Sequence, residues 1–228
     1  MRVEPYTVDS YIHALKRGAR GMAITGSASD KWRFLRSLYY LNDAYFSDDW
    51  TKEVARHSLF YRPPDWPTRK PLVEILCYTL MPNHFHLLIR EINEDGVANF
   101  MKKLGQSMTN HFNLKYKQKG SIFQGSYKGR TITDDNYFRY VAAYIMVKNV
   151  FELYPRGGLE GAMKDFNPAW EWGIKFPFSS LGDYAGERKD SPILEKGLLA
   201  EVWKSPKEFK SFSHEVIKGG KWKDVEFE

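Results

Sequence analysis

The chain has 228 residues, 43% hydrophobic and 16% aromatic, enough to bury a sizeable core, with a formal net charge of +6. No apolar run approaches the roughly 20 residues of a bilayer span, so no membrane association is expected. The N-terminal stretch, with Glu4 and Asp9, does not read as a signal peptide, which leads us to expect a cytoplasmic protein. The single Cys77 excludes an intramolecular disulfide and, lying in an apolar run, reads as a small core residue.

In chain order, residues 10–17 read as a strand. Ser29 is placed to cap a helix running to about Phe46, with Trp32, Leu35, Leu38 and Tyr39 as its apolar stripe. A Pro-rich connection over 62–71 follows. Residues 73–80 and 84–89 are two β-rich runs joined by Met81-Pro82-Asn83, which predicts a hairpin. Alternation sends Phe85, Leu87 and Ile89 to one face and His84, His86 and Leu88 to the other. Val97, Phe100, Met101, Leu104, Met108 and Phe112 recur at helical spacing, turning Lys102 and Lys103 away from the core. Residues 121–133 read as a last strand broken by Gly125 and Gly129. Thr133 is then placed to cap a helix with Asp134 and Asp135 in its first turn, running to about Tyr154 before Pro155 and Gly157-Gly158. The order is βαββαβα, followed by a tail of mixed charge with Trp170, Trp172 and a helix expected over 191–203. There is no internal repeat.

His84-Phe85-His86 is the most informative feature. Two imidazoles on one face of one strand suit a divalent metal, because neutral imidazole is a common ligand and a rigid strand leaves little to order. The same pattern also fits two hydrogen-bonded histidines on a half-buried face. From Val97 to Thr133 there is no Asp or Glu, while Lys102, Lys103, Lys115, Lys117, Lys119, Lys128 and Arg130 alternate with His111, Phe112, Tyr116, Phe123 and Tyr127. Charges for phosphates beside rings for unpaired bases point to nucleic acid; the alternative is a solvated helix face. On the helix from Asp134, Tyr137, Tyr140 and Tyr144 share a side with Lys148, and spacing alone does not choose a nucleophile among them.

Four segments carry a family resemblance. Residues 78–89 (YTLMPNHFHLLI) are similar to the metal strand of the single-tyrosine HUH transposases of the REP-associated tyrosine transposase group, relatives of small insertion-sequence transposases. Residues 120–128 (GSIFQGSYK) resemble the family's later basic strand, 144–150 (YIMVKNV) its tyrosine helix, and 176–184 (FPFSSLGDY) the segment after its catalytic domain. The resemblance implies an α/β (α+β) HUH endonuclease sandwich, a central antiparallel sheet with packed helices and a C-terminal helical tail. It implies a catalytic domain over 1–158 and a C-terminal extension over 159–228 packed on or beside it. It also implies that Tyr144 is the nucleophile and that His84 and His86 hold Mg²⁺ or Mn²⁺. Relatives typically carry an Asn or Gln four residues after the tyrosine as a third ligand; here that position is Lys148 and the amide follows at Asn149. On an ideal α-helix, position i+4 stands about 40° around from Tyr144 and i+5 about 140°. An unperturbed helix would therefore turn Lys148 toward the site, as a fixed charge near the scissile phosphate, and Asn149 away; a local adjustment would make Asn149 the third ligand.

The expected reaction is metal-dependent cleavage and strand transfer of single-stranded DNA at hairpin or palindromic repeats. A phenol with an ordinary pKa of about 10 is a weak nucleophile, and a metal on a non-bridging oxygen would fix the phosphate for in-line attack. The 5′-phosphate would remain on tyrosine and the 3′-hydroxyl would leave. Lys102, Lys103, Lys115, Lys117, Lys128 and Arg130 are candidates for backbone contact, with Gln124 near a base, in a monomer or homodimer. The main alternative is a domesticated, cleavage-deficient DNA-binding protein of the same fold. A zinc hydrolase would want a third strong ligand, and His13, His57, His111 and His214 show no telling spacing with the pair. A replication initiator or relaxase would usually differ around the motif.

Overall fold

The computed structural model describes residues 6–188 and 191–220. β1 (Tyr11–Arg17) leads to α1 (Ala28–Tyr40) and a short α2 (Trp50–Glu53). β2 (Val73–Leu80), β3 (His84–Glu91), α3 (Gly96–Tyr116) and β4 (Lys128–Ile132) follow. The remainder is helical: α4 (Asp135–Ala143), a π-helical segment (Tyr144–Lys148), α5 (Asn149–Glu152), α6 (Gly158–Lys164), α7 (Phe166–Gly173), α8 (Leu181–Tyr184), α9 (Gly197–Val202) and α10 (Pro206–Lys218). The strands form one antiparallel sheet in the order β2-β3-β1-β4, giving the expected α/β class with β3 and β1 at the centre.

Alternation along β3 divides the molecule into two cores. Phe85, Leu87 and Ile89 pack with Phe34 and Leu38 of α1 and Phe100 and Leu104 of α3. Leu88 turns to the other face, among Val141, Ile145, Val150, Trp170 and Phe209 from the later helices. Each large apolar side chain buried this way contributes about 1.5–3 kcal/mol. Along β2 the alternation is interrupted: Ile75 pairs with Ile89 and Cys77 with Leu88, so Leu76 is the extra residue of a β-bulge. Val73 and Ile75 therefore join the first core, whereas Leu76 and Cys77 join the second. Burial pushes the Cys77 thiol up, consistent with a packing role.

The outer edge of β2 is covered by the C-terminal part of the chain, which answers the need to shield an open edge. Leu80 N–H donates to Phe178 O at 2.9 Å, Ser180 N–H to Tyr78 O at 3.0 Å and Glu195 N–H to Ile75 O at 2.9 Å. Arg188 clasps this segment, donating to Asp183, to Phe176 O at 3.1 Å and to Ser179 O.

Several boundaries differ from expectation, each for a local reason. Ser27, not Ser29, caps α1, accepting from Asp30 N–H. The helix ends at Tyr40, not near Phe46, because the Asn42 amide bonds Leu72 N, Val73 N and Val73 O at 2.9–3.0 Å and ties the chain to the start of β2. Trp32 lies off the buried stripe, 42% exposed and edge-on to Phe178. The strand expected over 121–133 is confined to Lys128–Ile132, since the ladder to β1 stops at Lys128 opposite Leu15 and only an isolated Gly18–Phe123 bridge lies upstream. Asp134, not Thr133, caps α4, its carboxylate accepting from Tyr137 N–H at 2.8 Å. The helix expected over 191–203 is reduced to Gly197–Val202, because Glu195 is taken up by the sheet edge. The unbroken helix expected from Asp134 to Tyr154 is interrupted at the π segment.

Candidate active site

The sheet places more around the histidine pair than spacing revealed. His86 stands directly opposite Thr79 on β2 and Leu15 on β1, and His84 opposite Arg17. His13, two residues before Leu15 on the same face of β1, brings its Nε2 to 2.8 Å from His86 Nδ1. His84 Nδ1 lies 2.7 Å from Asn83 Oδ1, while Asn83 Nδ2 donates to Gly21 O at 3.3 Å. That second bond identifies Oδ1 as the acceptor, so His84 carries its proton on Nδ1. Both imidazoles are thus held at Nδ1, so a metal would be met through Nε2. His13 and Asn83 were missed in the sequence: His13 is a neighbour only once β1 pairs with β3.

Tyr144 lies across this face. Its ring centroid is 5.5 Å from that of His86 and 5.8 Å from that of His13, edge-on to both. Tyr140 stacks on Phe212 at 5.7 Å, and Tyr137 lies under the Arg130 guanidinium at 4.6 Å, its phenol pushed up by burial. Geometry thus separates three tyrosines that spacing left equivalent. Tyr144 is fully buried.

The helix is π-wound beneath that tyrosine, and the Asn149 N–H bonds to Tyr144 O, five residues back. An α-helix would leave Asn149 about 140° around from Tyr144. The wider π turn narrows that angle. The helix is thus not the ideal one assumed from spacing: a local adjustment is present between Tyr144 and Asn149. Asn149 is 0% exposed, and neither its Oδ1 nor its Nδ2 has a hydrogen-bond partner among the described residues. An unpaired buried amide is costly, and a bound ligand would relieve that cost. Lys148 is also buried, its Nζ 2.9 Å from Glu152 Oε1 and 4.7 Å from the Tyr144 ring centroid.

Among the described residues no group of three or more His, Cys, Asp or Glu side chains could hold a metal ion. A third donor beside His84 and His86 would therefore be of another type, and the Asn149 carbonyl oxygen has the right chemistry. Two imidazoles and an amide oxygen form a borderline-hard set suited to Mn²⁺ or Mg²⁺.

The structure divides the expected DNA contacts between two sides of the sheet. Lys128 is opposite Leu15 and Arg130 opposite His13, so both rise on the histidine face, and exposed Gln124 lies in the loop whose N–H bonds Arg17 O. Lys102, Lys103 and Lys115 belong to α3, which packs on the opposite face. Lys102 is exposed there, Lys103 donates to Asp43 O at 2.9 Å, and Lys117 is the exposed C-cap of α3. Lys115 pairs with Asp30 at 2.7 Å. Burial would raise the Asp30 carboxyl, but bonds from Lys115, Tyr116, His111 and the Gly26 N–H hold it well below the usual carboxylate range.

The chain thus sets an HxH pair on an inner strand of an antiparallel sheet, beneath a tyrosine-bearing helix. Residues 68–148, from the approach to β2 through the end of the π segment, match the family model described as "Transposase IS200 like". That segment is what the chain shares with the family; it spans less than half of the 228 residues. No curated protein matches the chain. A solved structure described as the REP associates tyrosine transposase bound to a REP hairpin is similar over 86% of this chain and 90% of that one, at 13% identity and a TM-score of 0.47.

Proposed function

We propose that the protein is a transposase that cleaves and rejoins single-stranded DNA at hairpin-forming repeats, with Tyr144 as nucleophile. The observation that carries this reading is the convergence of Tyr144, His86 and His13 on one sheet face with the unpaired amide of Asn149 one π turn along. The match over residues 68–148 covers that hairpin and ends just past the tyrosine.

His84 and His86, through Nε2, and Asn149, through Oδ1, would hold a divalent cation, Mg²⁺ or Mn²⁺. When bound, it supplies Lewis-acid stabilisation of the phosphate's negative charge. The chain does the rest. Tyr144 Oη attacks phosphorus, the Oη–P bond forms and the P–O3′ bond breaks. The phenol gives up one proton and the departing 3′-oxygen takes one up, leaving a 3′-hydroxyl and a 5′-phosphotyrosine. A second 3′-hydroxyl reverses the exchange and joins a new strand, so no nucleotide cofactor is consumed. His13 keeps the His86 ring oriented, and the Lys148 ammonium beside the Tyr144 ring places positive charge where phenolate and phosphate charge develop. Because Tyr144 is buried, substrate entry has to open its cover; an incoming phosphate would compete with Glu152 for Lys148.

The test is cleavage of a labelled single-stranded hairpin with Mn²⁺. His84→Ala and His86→Ala should each abolish cleavage and leave hairpin binding largely intact, because affinity comes mostly from the basic residues. Cleavage retained by both variants contradicts the metal reading. Hairpin binding by the parent protein with no cleavage under any divalent cation would favour the domesticated DNA-binding alternative.

A further inference from the structure

We infer that Thr79 and Ser179 form a latch that holds the π segment, and so positions Asn149, making them positioning residues for the metal reading above. In an α-helix the Ile145 carbonyl would receive the Asn149 N–H. Here that N–H goes to Tyr144 O, and Ile145 loses its usual donor. The replacement comes from the sheet: Thr79 Oγ1 lies 2.6 Å from Ile145 O, closer than to Tyr78 O or to Ser179 Oγ, both at 2.8 Å. Ile145, Thr79 and Ser179 are all 0% exposed, so water cannot stand in for the hydroxyl.

The latch is assembled from three distant parts of the chain. The bulge at Leu76 reverses the alternation of β2, which places Thr79 on the histidine face, directly opposite His86. Ser179 arrives from the C-terminal segment, fixed by the Phe178 and Ser180 backbone bonds to β2 and by the Arg188 clasp. The π segment is in effect one extra residue between Tyr144 and Asn149, accommodated because its stranded carbonyl is satisfied from outside the helix. Without the Thr79 hydroxyl, the α register regains its advantage: Asn149 N–H returns to Ile145 O and the amide side chain swings away from the tyrosine.

The test is Mn²⁺ titration of the full chain, followed by electron paramagnetic resonance, with thermal melts in parallel. Thr79→Val, which keeps the shape and removes the hydroxyl, should weaken Mn²⁺ binding about tenfold, or about 1.4 kcal/mol. Thr79→Ser should bind as the parent does. Deleting Lys148 returns Asn149 to four residues after Tyr144 and restores the α register, so Thr79→Val added to that deletion should cost no further affinity. A merely structural role for Thr79 would show the same loss in both backgrounds, and that result, or parental binding by Thr79→Val, overturns the inference. Should Thr79→Val unfold alone, the Lys148 deletion should restore its melting temperature; absence of rescue overturns the inference equally. If His84→Ala leaves Mn²⁺ binding intact, the metal reading fails by itself, and the coupling of the two changes in the melts still decides the latch.

Discussion

Each imidazole of the HxH pair is held at Nδ1, His84 by Asn83 and His86 by His13, which under the proposed function would present Nε2 to the metal. The partners should matter almost as much as the pair. His13→Ala is expected to weaken Mn²⁺ binding by about 10- to 100-fold with the fold retained; unchanged affinity in a titration would remove His13 from the site. The lysines divide in the same way by what they touch. Lys115 serves Asp30, whose carboxyl titrates lower in the folded chain than in the unfolded one. Its contribution is therefore complete at neutral pH and fades as pH falls through the folded value. The HxH pair was legible because alternation is a local property, and its separation from Phe85, Leu87 and Ile89 follows from residues two apart. His13 was not legible, because its place depends on which residue of β1 lies across from Leu88.

At the scale of elements, two irregularities build the site. The bulge in β2 turns Thr79 to the histidine face, and the π segment bonds the Asn149 N–H to Tyr144 O. Neither is visible to a periodicity argument, which assumes an unbroken period of 2 or 3.6. The amide displaced to Asn149 was nevertheless a visible departure in the sequence, and it coincides with the π segment. The elements also sort the basic residues. Lys128 and Arg130 rise from β4 on the tyrosine side, whereas Lys115 lies on α3 across the sheet. Lys128→Ala and Arg130→Ala should each lower hairpin affinity and reduce the salt dependence of binding by about one counterion. Lys115→Ala should instead lower the melting temperature and leave that salt dependence unchanged. Equal salt slopes for all three variants would contradict this division.

For the whole molecule, the two faces of the sheet have different dependence on the C-terminal chain. The first core is closed mainly by α1 and α3, while the second draws Trp170, Leu181, Leu199 and Phe209 onto the tyrosine helix. Residues 159–228, read from sequence as an extension, thus include segments that cover the β2 edge and the cover of Tyr144. A chain ending at Gly158 should be insoluble or molten, seen as loss of a cooperative melt; a soluble, cooperatively folding fragment would contradict this. Among the described residues no helix is long and apolar enough to cross a membrane. The central claim is that Tyr144 forms the covalent bond to DNA. The most direct measurement incubates the full chain with a labelled single-stranded hairpin and Mn²⁺, then denatures it and maps the adduct by mass spectrometry. The account expects a phosphodiester on Tyr144, lost in Tyr144→Phe and kept in Tyr140→Phe; an adduct that survives Tyr144→Phe and disappears in Tyr140→Phe would contradict it.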